Sequence, residues 1–439
     1  MRKTNFFQQA PAQDTYQKRF LEAVLGKRHI IATFPVGYPT VSLYALAALV
    51  SEGLAVIVCH NGSKIRRNLD YFYNAGLRFP DVAFLDGTQM PHEERQIHQE
   101  INRNRVRVLY ITPERFISLT FLEVLVHQHV TFLAIEEAER LLSDMPGHAP
   151  YRKLYEHGLQ QLAQLPSLML MLPMMTPGRV ETLARQLRLG EFQSLHCPPA
   201  VDTVELRVRR LFSEHQKFQD LIGFLSDSPG DGSLGRLDAP GSVLIQAAFP
   251  AQAEKLGASL IDYGFESVYV THYKKTFRDQ LKALETASVQ PNSILVTAGA
   301  DVRGWMPSSS AVTKLVYWTP PTSLDELFMQ VFRQPAEKRL LETQPVKARV
   351  YHTKEDFTAA IRPYTPEQSG ETREASEKLK ALNLYRQWVL DDACRLKSAA
   401  AYLQESSLLA MPPCGQCDRC TETRNFRWKL DHAFRKWLY

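Results

Sequence analysis

YQKRFLEAVLGKRHIIATFPVGYPTVSLYALAALV, residues 16–50, changes its hydrophobic period twice, and that change points to the fold class. Apolar positions first recur at helical spacing, then run together as in a buried strand, then stop at Pro35 to Pro39 before a second apolar helix begins. The same alternation continues downstream, with apolar strands expected at Leu54 to Cys59, Val82 to Phe84, Val106 to Ile111, Thr131 to Ile135 and Leu168 to Leu172. Strands that are apolar throughout and separated by helices imply a parallel sheet covered on both faces. A first α/β domain over residues 1–197 follows.

Pro198-Pro199 marks the crossing into a second domain, 198–364, opened by a strand at Thr203 to Val208. Residues 226–241, SDSPGDGSLGRLDAPG, read as a surface loop. Further strands are expected at Ser242 to Gln246, Val268 to Val270, Ser293 to Thr297, Lys314 to Trp318 and Ala348 to Tyr351, again with helices between them. After a polar linker from Thr365 a helical pattern carries Leu379, Leu382, Tyr385, Val389 and Ala393 on one apolar face toward Cys394. Cys394 and the run Cys414-Gly415-Gln416-Cys417-Asp418-Arg419-Cys420 then have the make-up of a four-thiolate structural zinc site. A CxxCxxC knuckle cannot pair its own members as disulfides without strain, and a site closed by four thiolates leaves no open position for catalysis. The helical zinc subdomain spans 365–425 and a basic aromatic helix 426–439, with Phe426, Leu430, Phe434 and Trp437 as an apolar stripe among Arg424, Arg427, Lys429, Arg435 and Lys436. That last stripe suits either docking on the zinc module or contact with nucleic acid or a protein.

The 439 residues are 44% hydrophobic and 23% charged, as in globular proteins. No run approaches the roughly eighteen apolar residues of a membrane span, and MRKTNFFQQAPAQD lacks the apolar core of a secretory signal. A cytoplasmic protein without a membrane partner is expected, nucleoid-associated if it binds DNA. A net charge of +5 spread over so large a surface permits a nucleic-acid partner without requiring one.

Tyr110-Ile111-Thr112-Pro113-Glu114-Arg115-Phe116 resembles the Pro-Glu-Arg element of RecQ-family DNA helicases. The spacing from Gln17 to the Phe34 loop is similar to that family's adenine-reading Gln and nucleotide loop, Ile135-Glu136-Glu137-Ala138-Glu139 falls at its D-E-A-H box, and the cysteine knuckle resembles its zinc subdomain. The resemblance implies two tandem RecA-like parallel-sheet domains followed by a small helical four-cysteine zinc-binding subdomain. It also implies ATP, magnesium and DNA as ligands, 3′-to-5′ unwinding, and a place in DNA repair, recombination or replication. Neither the winged-helix domain that often follows in the family nor its HRDC domain is expected after Cys420.

The departures bear on function. Thr40 stands where the family's phosphate-binding Lys belongs and Val41 where its magnesium-holding Ser belongs. A missing Lys charge beside phosphate forfeits about 4 kcal/mol at an effective dielectric near 20. Glu136 replaces Asp, Glu137 remains as a possible water-orienting base, and Glu139 replaces His. These acids fit equally the solvated start of a helix, where negative charge is favourable. Ser143 to Tyr151 takes the place of the aromatic-rich loop without its Trp, and in the second domain Gln334 and Glu337 stand where the family's arginines would be, although Gln330 survives. Phosphoryl transfer needs all of these parts together. The expectation is a RecQ-like protein that has stopped being a motor, with no catalytic residue, a vestigial Gln17, and little left to hold ATP or magnesium. Arg115, Arg152 and Arg303 are then the candidate DNA contacts. Two rivals stand beside it: an active atypical ATP-dependent 3′-to-5′ helicase, and an interaction subunit in a larger assembly that touches no nucleic acid.

Overall fold

The computed structural model describes residues 14–35, 38, 40–60, 62–142, 149–161, 166–197, 204–226, 237, 241–272, 274–290, 292–299, 312–332, 346–362, 373–404 and 412–422. The chain forms two compact units, residues 1–198 and 199–439. No described helix is long and apolar enough to cross a membrane.

The first unit is built on a seven-stranded parallel sheet: β1 His29–Phe34, β2 Leu54–Val58, β3 Val82–Leu85, β4 Val108–Ile111, β5 Val130–Glu136, β6 Ser167–Pro173 and β7 Phe192–His196, in the order β3-β4-β2-β5-β6-β1-β7. Every ladder is parallel. Successive strand residues point to opposite faces, so Ile31, Val56, Leu109, Leu133 and Leu170 enter one core while Ile30, Ala55, Tyr110, Phe132 and Met169 enter the other. That two-sided burial is why these strands read as unbroken apolar runs. Strand β7 is half-exposed at the sheet edge and carries Gln193 and Ser194, so its pattern offers no such signal.

Helix α1, Asp14–Leu25, precedes β1, and α2, Val41–Val50, follows it. The chain leaves β1 beside β6 and re-enters the sheet at β2, beyond β5. Such a jump in strand order opens a crevice at the carboxyl ends of the strands. Helix α3, Gly62–Asn74, descends from β2, and a Cβ at Gly62 would run into the Asp86 carboxylate, so glycine permits the close approach of the first turn. Also in this unit are α4 Pro91–Asn102, α5 Pro113–Phe116, α6 Leu119–Val126, α7 Ala149–Lys153 and α8 Pro177–Gln186.

The second unit carries a six-stranded parallel sheet: β8 Val204–Arg210, β9 Ser242–Ala247, β10 Val268–His272, β11 Ile294–Ala298, β12 Val312–Tyr317 and β13 Val346–His352, in the order β10-β11-β9-β12-β13-β8. Its helices are α9 Glu214–Leu225, α10 Pro250–Tyr263, α11 Phe277–Val289, α12 Leu324–Val331, α13 Lys354–Ile361, α14 Arg373–Leu390, α15 Arg395–Leu403 and α16 Asp418–Glu422. The apolar face expected to run unbroken to Ala393 does not: α14 stops at Leu390, Ala393 is exposed, and Cys394 caps a separate helix, α15. Leu382, Tyr385, Trp388 and Val389 do form the buried face of α14. The break has a cause. The Arg395 guanidinium donates to the Trp388, Val389 and Asp391 carbonyls at 2.5, 3.0 and 3.3 Å, which satisfies the acceptors a helix leaves open at its end. Most of the loop at 226–241, and all of 426–439, lie outside the described residues.

Candidate functional site: a sealed acid pocket and a four-cysteine centre

At the end of β5 the Glu136 side chain is buried, which overturns the solvated-helix reading for this residue. Its two oxygens are fully engaged. Oε1 accepts from the Tyr44 hydroxyl at 2.9 Å, the Thr40 hydroxyl at 3.1 Å and the Asn68 amide at 3.4 Å. Oε2 pairs with Lys64 Nζ at 2.8 Å and accepts from the Cys59 thiol at 3.5 Å. A carboxylate offers about four lone-pair sites, so five donors saturate it.

Glu137 follows in the left-handed region, with φ +56°, a conformation that costs a non-glycine residue about 1–2 kcal/mol. This turn lets consecutive carboxylates converge: Lys64 Nζ lies 3.1 Å from Glu137 Oε1, and Arg140 reaches Glu137 Oε2 at 2.5 Å. Arg140, itself buried, also contacts His60 at 3.2 Å and lies over the Tyr151 ring, whose hydroxyl donates to the Glu136 backbone carbonyl at 3.0 Å. Burial opposes the charge on Lys64, but the carboxylates of Glu136 and then Glu137 outweigh it and hold the ammonium well above the ordinary lysine range. Burial first, and the Glu136 charge second, push the Tyr44 hydroxyl and the Cys59 thiol far up, so both remain neutral donors.

Thr40 caps the start of α2 without a side-chain bond to the helix, its hydroxyl being given to Glu136. Val41 is buried in the core. Glu139 lies in the short 3-10 helix Ala138–Leu142, half-buried. Gln17 is on α1, and its side chain is outside the described residues, as are the 143–148 loop and Arg303, Gln334 and Glu337. Gln330 lies in the last turn of α12 in the core of the second unit, only 2% exposed. Arg115 is held by Glu94 at 2.5 Å, and Arg152 is half-buried on α7 with Glu156 at 4.0 Å.

In the second unit the sulfurs of Cys394, Cys414, Cys417 and Cys420 lie within 4.8 Å of one another. Cys414 and Cys420 Sγ are 3.9 Å apart, far beyond a disulfide and close to the ~3.8 Å edge of a tetrahedron with Zn–S near 2.3 Å. Gly415, at φ +72°, makes the knuckle turn. Backbone N–H groups of Cys414, Arg395 and Cys417 point at the sulfurs of Cys394, Cys417 and Cys414 at 3.4, 3.5 and 3.4 Å, an arrangement that favours thiolate. The four residues fit a structural zinc ion, which they could hold through four thiolates.

Around this centre Arg395 forms a fork to Asp418, with Nε to Oδ1 at 3.2 Å and a terminal nitrogen to Oδ2 at 3.0 Å, both side chains buried. Asp418 Oδ1 also accepts from the Val208 N–H at 3.4 Å, tying the knuckle to β8. Lys64, Asn68 and Arg140 on one side, and Asp418 on the other, escaped the sequence reading. Lys64 and Asn68 are four apart on α3 and therefore share a face, directly after a buried parallel strand, which is the signal that could have found them.

No family model matches the chain. It is 21% identical over 411 residues to the ATP-dependent DNA helicase RecQ of Pasteurella multocida, covering 92% of this chain and 60% of that protein. Against the RecQ helicase of Haemophilus influenzae it is 20% identical over 415 residues, covering 92% and 61%. The chain thus spans about three fifths of the length of the curated relatives it matches. Among solved structures it is similar to the DEAD-box helicase Mss116 bound to ssRNA and UDP-BeF, with TM-score 0.58 at 15% identity over 88% of this chain and 81% of that one. It is similar also to the Mycobacterium smegmatis helicase Lhr bound to ssDNA and AMP-PNP, with TM-score 0.55 at 16% identity over 81% and 48%.

Proposed function

We propose that this chain, whose fold is that of a RecQ-like helicase, binds DNA and serves as a DNA-binding or scaffold protein without hydrolysing ATP. The observation that supports the reading is the saturation of Glu136. Magnesium in a nucleotide site keeps an octahedral shell and needs carboxylate oxygens to coordinate it or to accept hydrogen bonds from its waters. Here Tyr44, Thr40, Asn68, Cys59 and Lys64 already use those oxygens. Glu137, the remaining candidate base, is tied between Lys64 and Arg140, so drawing a proton from water would require breaking an ion pair first. At the start of α2 Thr40 supplies no ammonium and gives its hydroxyl to Glu136, and Val41 has no hydroxyl, so neither takes the part that cradles phosphate and metal in a phosphate-binding loop.

Affinity for DNA does not depend on that chemistry, because phosphate-backbone contacts position a protein without ATP. Arg152, with 41% of its side chain accessible, is one candidate, Arg115 would have to share itself with Glu94, and Arg303 is the third. The RecQ proteins it resembles are DNA helicases by name, which favours DNA over RNA as the ligand. The decisive experiment measures phosphate release with and without DNA, alongside the shift of labelled single- and double-stranded DNA at rising salt. Salt-sensitive DNA binding with no DNA-stimulated phosphate release is the expected outcome. Phosphate release that disappears in Glu137→Gln restores the motor, and retention of a stoichiometric protein partner with no DNA shift favours the interaction subunit.

A further inference from the structure

The two acids of the pocket are already matched by the protein's own cations, and Arg67 adds a further positive charge that acts on both. Glu136 and Glu137 bring two negative charges, and Lys64 and Arg140 bring two positive ones within ion-pair distance. Lys64 is the shared partner: its ammonium bridges the two carboxylates at 2.8 and 3.1 Å, a bridging position suited to a divalent ion between two acids. It is also placed by more than one feature of the fold. Gly62 lets the first turn of α3 press against Asp86, Asn68 one turn below Lys64 donates to the same carboxylate, and the left-handed turn at Glu137 brings the second acid to the first.

We propose that Lys64 is the resident cation of this pocket, standing in place of a divalent metal between Glu136 and Glu137, so that any phosphate-bearing ligand of the neighbouring loop is taken without magnesium. The inference rests on the reading that this fold has stopped hydrolysing ATP, and it names the group that does the stopping. Burial alone would drive the ammonium toward neutrality, yet the two carboxylates keep it charged, so the substitute persists across the whole physiological range.

Manganese is the probe, since it accepts carboxylate and water ligands and is read directly by its electron paramagnetic resonance. The whole 439-residue chain is used with its cysteine centre loaded with zinc, so that this centre does not compete. Wild type is expected to take up no Mn2+ that Glu136→Gln removes. Lys64→Met, which keeps the length of the side chain and drops its charge, gains one Mn2+ site at least about tenfold tighter than any in wild type, a difference of roughly 1.4 kcal/mol. Adding Glu136→Gln to Lys64→Met abolishes that site, and Lys64→Arg leaves the pocket closed. A wild-type Mn2+ site lost in Glu136→Gln overturns the proposal, as does a folded Lys64→Met protein that takes up none. Should Lys64→Met fail to fold, wild type against Glu136→Gln decides it. Mn2+ uptake by wild type without ATP hydrolysis ends this inference alone, whereas magnesium-dependent hydrolysis lost in Glu137→Gln ends the proposed function.

Discussion

The acid pocket of the first unit and the cysteine knuckle of the second are both built from groups that bind cations, and they treat cations in opposite ways. In the pocket the carboxylates spend themselves on the protein's own donors, with Lys64 between Glu136 and Glu137. In the knuckle four sulfurs converge, while Arg395 and Arg419, neighbours in sequence to Cys394 and Cys420, give their guanidinium groups to Asp418 and the Val389 carbonyl instead. A site that supplies its own positive charge has no use for an ion. A site whose thiolates face one another repels itself until one arrives.

The largest expected effect is therefore metal removal from the knuckle. Structural zinc is worth on the order of 10 kcal/mol to a small four-ligand site, more than any side chain discussed here. Purified protein should hold one zinc per chain by elemental analysis, and chelation after thiol modification should unfold α14 to α16, lowering helical circular dichroism and the melting temperature. If the metal-free chain melts at the same temperature, the contrast between borrowed and resident cations fails on the knuckle side.

Next is the fork that supports the knuckle. Arg395→Met takes the two-pronged partner from the buried Asp418 carboxylate and leaves it only the longer contact with Arg419 Nε at 3.8 Å, a loss bounded by the about 3–5 kcal/mol that a buried pair forfeits when one member goes. It also frees the Trp388 and Asp391 carbonyls at the end of α14, while Val389 keeps its bond from Arg419. Denaturant midpoints of the zinc-loaded protein should show the loss, and Arg395→Met combined with Asp418→Leu should recover part of it, because the stranded charge is gone. A full, additive loss in the double variant would mean that the pair matters for packing rather than for charge.

How much of this was legible in the sequence follows from where each partner comes from. The apolar strands were, because burial on both faces leaves no polar residue to break the run, as in Leu54–Val58 and Val108–Ile111. Edge strand β7 was not, since half-exposed Phe192 and Gln193 and exposed Ser194 carry no such signature. The four cysteines were legible because ligand spacing is local. Glu136 and Glu137 could be placed at the end of β5, but their state could not: Lys64 arrives from a helix more than seventy residues earlier, and a lysine in GSKIRRNL reads as one more solvated charge until the sheet order brings α3 beside β5. Ala393 misled for a related reason, its helical spacing being overruled by a buried arginine that ends the helix at Leu390, three positions before it.

A smaller effect tests whether saturation, rather than any one bond, closes the pocket. Tyr44→Phe removes one of three donors to Glu136 Oε1 and leaves the Tyr110 hydroxyl, which donates to it at 3.1 Å, to find another partner. The expected cost is about 1–2 kcal/mol by denaturant unfolding. Because Thr40, Asn68 and Lys64 remain, no Mn2+ site should open; uptake equal to that of Lys64→Met would show that the hydroxyl, and not the ammonium, holds the pocket shut.

The smallest effect appears only in alkali and isolates the ammonium by its sign. Burial works against the charged form, but Glu136 and then Glu137 raise the folded-state value of Lys64 above the free-lysine value of 10.5. A raised value means that the folded chain holds a proton the unfolded chain gives up, so the contribution is complete below about pH 10.5 and declines as pH rises through the folded value. Wild type should therefore lose stability more steeply than Lys64→Met above that pH, and the two denaturation midpoints should draw together there while staying apart at pH 7. Parallel lines across the same window would mean that the ammonium gains nothing from the two acids in the fold, and the pocket would then differ from the knuckle in shape alone.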